Sequence, residues 1–141
     1  IKAFVVGKEN NMSYYQNFSK KLNINNQIFF TGPRTDVNDF YTISDIFLFP
    51  THYDPFSNVV LEAMYFENAV FTTRSNGASE ILDPDFIMNS PYDKKVATSI
   101  DNLLSNIITL NEVKIRNKKI SKQFPIEKNL KKTLKVINKI E

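Results

Sequence analysis

Short runs that are apolar at every position alternate along this chain with stretches of helical spacing. Ala3-Phe4-Val5-Val6 closes at Gly7 and predicts a buried strand over residues 2 to 6 with a turn behind it. After an Asn/Lys-rich stretch, Ser13 is placed to cap a helix whose stripe is Tyr14, Phe18 and Leu22, widened by Tyr15. Gln27-Ile28-Phe29-Phe30-Thr31 reads as a second strand stopped by Gly32-Pro33. Asp36 can cap a short helix sharing Val37, Phe40 and Ile43 on one face, and Asp45 precedes Ile46-Phe47-Leu48-Phe49-Pro50, a strand expected to be covered on both faces. Following a loop from Thr51 to Phe56, residues 57 to 66 form a helix apolar nearly all round, which should therefore be buried. Ala69 to Thr73 is a fourth strand, Asn76-Gly77 opens a short helical turn ending at Glu80-Ile81-Leu82, and Phe86-Ile87-Met88 is a fifth strand at an edge. From Asp93 onward the pattern is helical, with Val96, Ile100, Leu103, Leu104, Ile107 and Ile108 facing the core and two basic helices broken at Pro125.

Strands alternating with helices across connections too long for hairpins imply right-handed crossovers and a parallel sheet. The expected fold is a Rossmann-like, doubly wound α/β layer with C-terminal helices. Such sheets bind ligands at the carboxyl ends of their strands, which gathers Gly7-Lys8, Gly32-Pro33-Arg34, residues 50 to 58 and Ser75-Asn76-Gly77 along one rim.

Composition narrows the chemistry. The 141 residues contain no cysteine and one histidine, His52, which excludes thiol catalysis, thiolate metal sites and a multi-histidine metal centre. The chain is long enough to bury a core without staples, and no apolar run approaches the roughly 18 residues of a membrane span, so a cytoplasmic protein is expected. The net charge of +3 is unevenly placed: Glu112 to Glu141 hold ten Lys/Arg against three Glu, while the preceding 111 residues hold eight basic and twelve acidic groups, a net of −4. A buried-looking strand directly after Ile1, which is not a methionine, suggests a piece of a longer polypeptide.

Within the helix of residues 57 to 66, Glu62 is the only ionisable group before its end. Either it is a buried carboxylate that needs hydrogen-bond donors, such as the adjacent hydroxyls of a ribose or sugar, or it sits on the one wet edge of the helix. Asp54 lies in the loop before it, and with Ser57 or Asn58 as cap the first helix amides point toward that loop, where their partial positive charge suits a phosphate; the plain alternative is that Asp54 and Ser57 merely cap the helix. Gly32-Pro33-Arg34, taken by itself, reads as an ordinary turn with a surface arginine. His52 has no visible catalytic partner, and neither GxGxxG nor GxxxxGK[ST] occurs.

Four segments in order, Phe30-Thr31-Gly32-Pro33-Arg34, Asp45 to Thr51, Tyr53-Asp54-Pro55-Phe56-Ser57-Asn58-Val59-Val60-Leu61-Glu62-Ala63-Met64, and Asn76-Gly77-Ala78-Ser79-Glu80-Ile81, resemble the C-terminal domain of retaining family 4 glycosyltransferases of GT-B type. The likeness is greatest to the lipopolysaccharide-core glucosyltransferase type and covers about residues 3 to 125. It implies that Glu62 holds the donor ribose, that Asp54 contacts donor-sugar hydroxyls, that the backbone at Phe56, Ser57, Asn58 and Val59 approaches sugar and diphosphate, and that Gly32 and Arg34 lie beside the base. Departures from the family pattern are Asp54 in place of Glu, Ser57 where many members have Gly, and Glu67 and Ala69 in place of Gly and Pro, which leaves Asn68 as the residue expected to turn left-handed.

The resemblance further implies a donor that is a nucleotide-diphosphate sugar, UDP-glucose by nearest likeness, with no cofactor and no obligatory metal. The acceptor, a saccharide or lipid-linked molecule of the cell envelope, would be bound by an N-terminal domain outside residues 1-141. A basic pair upstream of the chain's start, neutralising the leaving diphosphate, is also implied; without it the 141 residues alone are expected to be inactive, and no catalytic residue is assigned. Two alternatives compete: a nucleotide-sugar epimerase domain, which lacks the Asp/Glu-x7-Glu-Ala-Met pattern, and a non-enzymatic α/β module whose basic tail, residues 111 to 141, touches an anionic membrane or nucleic acid. Against the tail reading stands a pair of amphipathic helices with Ile115, Ile120, Leu130, Leu134 and Ile137 packed inward.

Overall fold

The computed structural model describes residues 1 to 125 together with Leu134 and Lys135. Its elements are β1 (Ala3–Val6), α1 (Met12–Lys21), β2 (Ile28–Gly32), α2 (Val37–Ile43), β3 (Ile46–Phe49), α3 (Asn58–Tyr65), β4 (Ala69–Thr73), β5 (Ile87–Met88), α4 (Lys95–Leu104) and α5 (Ile107–Ser121), with 3-10 turns at Gly77–Ile81 and Pro84–Phe86. Every strand pairing is parallel, and the fold is a Rossmann-like α/β layer. The chain divides into two compact units, Ile1–Phe40 and Tyr41–Glu141.

In the first unit β1 pairs with β2 from Ala3 opposite Ile28 to Val6 opposite Gly32, with a bulge between Val5 and Val6. Gly32 takes a φ of 70°, and the amide of Gly7 donates to its carbonyl at 2.9 Å. β1 is not buried as its apolar run suggests: Phe4 and Val5 keep about two-fifths of their surface, and Phe4 instead packs its ring on Phe29 and against the edge of Phe40. α1 starts at Met12 with Asn11 before it, so Ser13 lies inside the helix rather than capping it. Its stripe of Tyr14, Phe18 and Leu22 is exposed, and the buried position is Ser19, whose hydroxyl donates to Gln16 O. Periodicity identifies the apolar face of a helix; whether a neighbour covers that face is a separate matter. The helix ends in a Schellman turn, with Asn23 at φ 56° and the amides of Asn23 and Ile24 donating to Lys20 O and Ser19 O.

The second unit is built around β4, the middle strand of the order β3-β4-β5 and buried at all five positions. Ala69 and Phe71 meet Leu103 of α4 and Leu110 of α5, with Ile46, Phe86, Val96, Ile100, Leu104 and Val113 around them. Burial of a side chain the size of Phe71 contributes roughly 1.5–3 kcal/mol, and the ring of Phe86 stands edge-on to it at 5.0 Å. β3, an outer strand of its sheet, is only partly covered, and Leu48 is 43% exposed, where cover on both faces was expected.

α3 buries Val60, Ala63 and Met64 and packs against α5 and β4, but only this face is buried. Among the C-terminal helices, Leu103 is buried as expected, whereas Ile107 and Ile108 are 62% and 70% exposed. The helix breaks at Ser105–Asn106, where Asn106 caps α5 by accepting from the Thr109 amide; the restart shifts the phase and turns Leu110, Asn117 and Ser121 inward. Ile115 is consequently exposed and Ile120 half-buried. Leu134 is also exposed, and the expected inward positions Leu130 and Ile137 lie outside the described residues.

Candidate functional site

The segment from Asp54 to Glu62 is a loop followed by the exposed edge of α3. Ser57 is the N-cap residue in extended conformation, but its hydroxyl makes no capping bond to the helix. That hydroxyl accepts from Asn76 Nδ2 at 3.3 Å, so α3 begins without a side-chain cap and its first amides keep their partial positive charge at the loop.

Two backbone strands of contact fix the loop. The Asp54 amide donates to Ser75 O at 3.2 Å and the Gly77 amide donates to Asp54 O at 2.9 Å, forming a parallel bridge between Asp54 and Asn76. Asp54 does not reach the helix: its Oδ1 accepts from the Phe56 amide at 3.0 Å, closing a tight turn within the loop. Beneath lies Asn76, fully buried. Its Oδ1 accepts from the amides of Ser57 and Ala78, and its Nδ2 donates to the hydroxyls of Ser57 and Thr72. Sequence reasoning sees in Asn76 only the start of a turn; an Asn directly before a Gly carries that signal whether or not its amide is buried.

Glu62 sits on the wet edge of the helix, not in the core. Its Oε2 accepts from the Tyr41 hydroxyl at 3.3 Å, and it lines a cavity of about 420 Å³ with Leu61, Tyr65, Phe66, Ser121, Lys122, Phe124 and Pro125. Tyr41 is 6% exposed, its ring edge-on to Phe47 and stacked on Phe66, and its carbonyl accepts from Asn68 Nδ2 at 2.9 Å. Burial, and then the negative charge and hydrogen bond of Glu62, push the Tyr41 hydroxyl up to about 12. No sequence signal points to this residue, because its partner is 21 positions away.

The turn after α3 corrects one expectation. Glu67, not Asn68, is left-handed, at φ 60°, with the amides of Glu67 and Asn68 donating to Met64 O and Ala63 O. Asn68 is needed elsewhere: its Nδ2 is buried and donates to Tyr41 O and Phe66 O, and its carbonyl accepts from Asn117 Nδ2 at 2.8 Å. Glu67 pairs with Lys118 at 2.5 Å, which holds its carboxyl below the usual range.

Asp54, Phe56, Ser57, Asn58, Val59 and Glu62 are thus brought together on one loop and helix edge. Gly32 and Arg34 belong to the first unit. There the carbonyl of Asp36 accepts from the Asp39 amide at the start of α2, while its carboxylate takes both Nε and Nη2 of Arg34, at 2.8 and 2.6 Å, and the guanidinium lies over the Phe40 ring at 5.8 Å. Exposed His52 lies 3.4 Å from the Tyr92 hydroxyl. Three cations of α5 are matched to carboxylates: Lys114 with Asp45, Arg116 with Asp83 and Lys118 with Glu67. Among the described residues no helix is long and apolar enough to cross a membrane.

The family described as glycosyl transferases group 1 matches residues 1–120. The chain belongs to this family. A stretch of 75 residues, 51% of the chain, is 33% identical to the capsular polysaccharide biosynthesis glycosyltransferase CapM of Staphylococcus aureus, covering 20% of that protein. Among solved structures, Anabaena Alr3699/HepE in complex with UDP matches 99% of the chain and 41% of its own at a TM-score of 0.86 and 18% identity. A glycosyltransferase from Rickettsia africae matches 99% and 40% at 0.87 and 20%. WaaG, a glycosyltransferase involved in lipopolysaccharide biosynthesis, matches 86% and 34% at 0.76 and 18%. These likenesses show the fold, that of GT-B C-terminal domains, and the chain spans a fifth of the curated relative and about two-fifths of the first two structures.

Proposed function

We propose that this chain is the donor-binding domain of a retaining glycosyltransferase that moves a hexose from a nucleotide-diphosphate sugar, UDP-glucose by preference, to a saccharide or lipid-linked acceptor. The observation that carries the reading is the Asp54–Glu62 segment: an uncapped helix start with a carboxylate at each end, locked by Asn76 and Gly77. In this reading the amides of Asn58 and Val59 face the diphosphate, Glu62 accepts from the ribose hydroxyls, and Asp54 meets the sugar through Oδ2, since Oδ1 is taken by the Phe56 amide. The UDP and UDP-glucose complexes of Anabaena Alr3699/HepE support the choice of donor, and membership in the family favours a transferase over an epimerase.

The chain's contribution to the reaction is electrostatic and positional. Helix amides stabilise charge gathering on the leaving diphosphate, while hydroxyl contacts hold the sugar for attack from the face the diphosphate leaves. The test is a titration of the chain with UDP, GDP and their glucose conjugates, followed by ¹⁵N shifts of Asn58 and Val59. Saturable shifts with the uridine ligands are expected, with a midpoint moved to clearly higher ligand concentration in Glu62→Ala; a midpoint unchanged in Glu62→Ala overturns the reading.

A further inference from the structure

A carboxylate on the exposed edge of a helix has several rotamers open to it, and a ligand that needs one of them must freeze the rest. Glu62 is not free in this way. The Tyr41 hydroxyl holds its Oε2 from a position that is itself fixed four times over: by burial, by the rings of Phe47 and Phe66, and by the Asn68 amide on its backbone carbonyl. The phenol is also the one polar group in an aromatic trio where a phenylalanine would pack as well. Glu62 is exposed and only its Oε2 is tethered, so the carboxylate retains lone pairs enough to accept two more hydroxyls.

We propose that Tyr41 is a positioning residue for a diol-binding carboxylate: its hydroxyl presents Glu62 in the single orientation that accepts the two ribose hydroxyls of a nucleoside diphosphate. The inference rests on the assignment of Glu62 to the ribose made above. It concerns recognition of the diol only, so a chain lacking the hydroxyl should bind the phosphates as before and lose its sense of the sugar.

The experiment compares UDP, 2′-deoxy-UDP and inorganic pyrophosphate by calorimetry on the parent chain, Tyr41→Phe and Glu62→Gln. The parent should prefer UDP over 2′-deoxy-UDP, Glu62→Gln should erase that preference, and Tyr41→Phe should cut it about fivefold, the effect of one weakened charge-assisted hydrogen bond, with pyrophosphate affinity unchanged. A Tyr41→Phe chain that keeps the full preference while Glu62→Gln loses it overturns the role of Tyr41 and leaves the ribose assignment standing. A parent without the preference, or a Glu62→Gln chain that retains it, overturns the ribose assignment and this inference together. Should Tyr41→Phe fail to fold, 3-fluorotyrosine placed at position 41 alone carries the test: its ¹⁹F resonance should move with UDP and stay with pyrophosphate, and a resonance that ignores UDP overturns the proposal.

Discussion

Gly77 lies so close to Pro55 that a methyl group on its Cα would come within 1.9 Å of the Pro55 carbonyl oxygen. This contact, with the 2.9 Å bond from the Gly77 amide to Asp54 O, holds the Asp54 loop against the turn that follows β4. Gly77→Ala must push backbone away from backbone. We expect a loss of about 2 kcal/mol in stability, within the range for overpacking, together with weakened UDP affinity, read by thermal melting and titration; a variant that melts and binds like the parent would show that the loop shifts freely.

Asn76→Ala removes four hydrogen bonds from a site with no exposure. Unpaired buried amides and hydroxyls each cost about 1–3 kcal/mol, partly offset where neighbours re-pair. The expected loss is about 3 kcal/mol by urea denaturation. Hydrogen exchange should rise first at the amides of Ser57 and Ala78.

Glu67→Gly exchanges a left-handed side-chain-bearing residue for one that adopts φ 60° without steric cost, at the loss of the ion pair with Lys118. Exposed pairs are worth little and relief of the backbone outweighs that loss, so the melting temperature should rise. Lys118→Ala, which removes the pair and leaves the left-handed side chain in place, should lower it slightly; the opposite ordering would mean the ion pair dominates.

Stability should fall at both ends of the pH range. The carboxyls of Asp83, bonded by Arg116, and of Asp93, bonded by the amides of Asn89 and Lys95, are held below their ordinary values in the fold. Their stabilisation is present above roughly pH 4 and is lost as pH falls through the depressed folded values. Tyr41 runs the other way: raised to about 12, it leaves the unfolded chain to release a proton first, so stability drains away from about pH 10 upward. Tyr41→Phe should flatten the alkaline limb of a melting-temperature profile and leave the acid limb alone, whereas Asp83→Asn should do the reverse.

The order of strands and helices, the placement of Ser57 at the head of α3 and the gathering of Asp54 and Glu62 on one segment are legible in the sequence because they depend on near neighbours and on spacing. What escapes depends on partners far along the chain. The burial of Asn76 rests on Ser57 and Thr72, the tether of Glu62 on Tyr41, and Asn68 is kept out of the left-handed turn while its side-chain amide is claimed by Tyr41 O. Exposure of Ile107 and Ile108 is hidden for a different reason: a break of two residues between α4 and α5 resets the helical phase, and an Asn inside an apolar stripe does not announce whether it interrupts or continues it. On α1 the spacing correctly marks a stripe, but nothing in spacing says whether a neighbour covers it.

Asn68 is the junction of three stretches separated in sequence, taking its contacts from Tyr41 and, through its own carbonyl, from Asn117 on α5. During synthesis the ribosome delivers Tyr41, Glu62 and Asn68 well before Asn117. The carboxylate edge therefore exists as peptide while the backbone below it still lacks its final donor, and only the arrival of α5 seats it. A nascent chain halted before Asn117 would carry Asn68 without the donor to its carbonyl, so the helix that bears Glu62 gains its last brace only when α5 arrives.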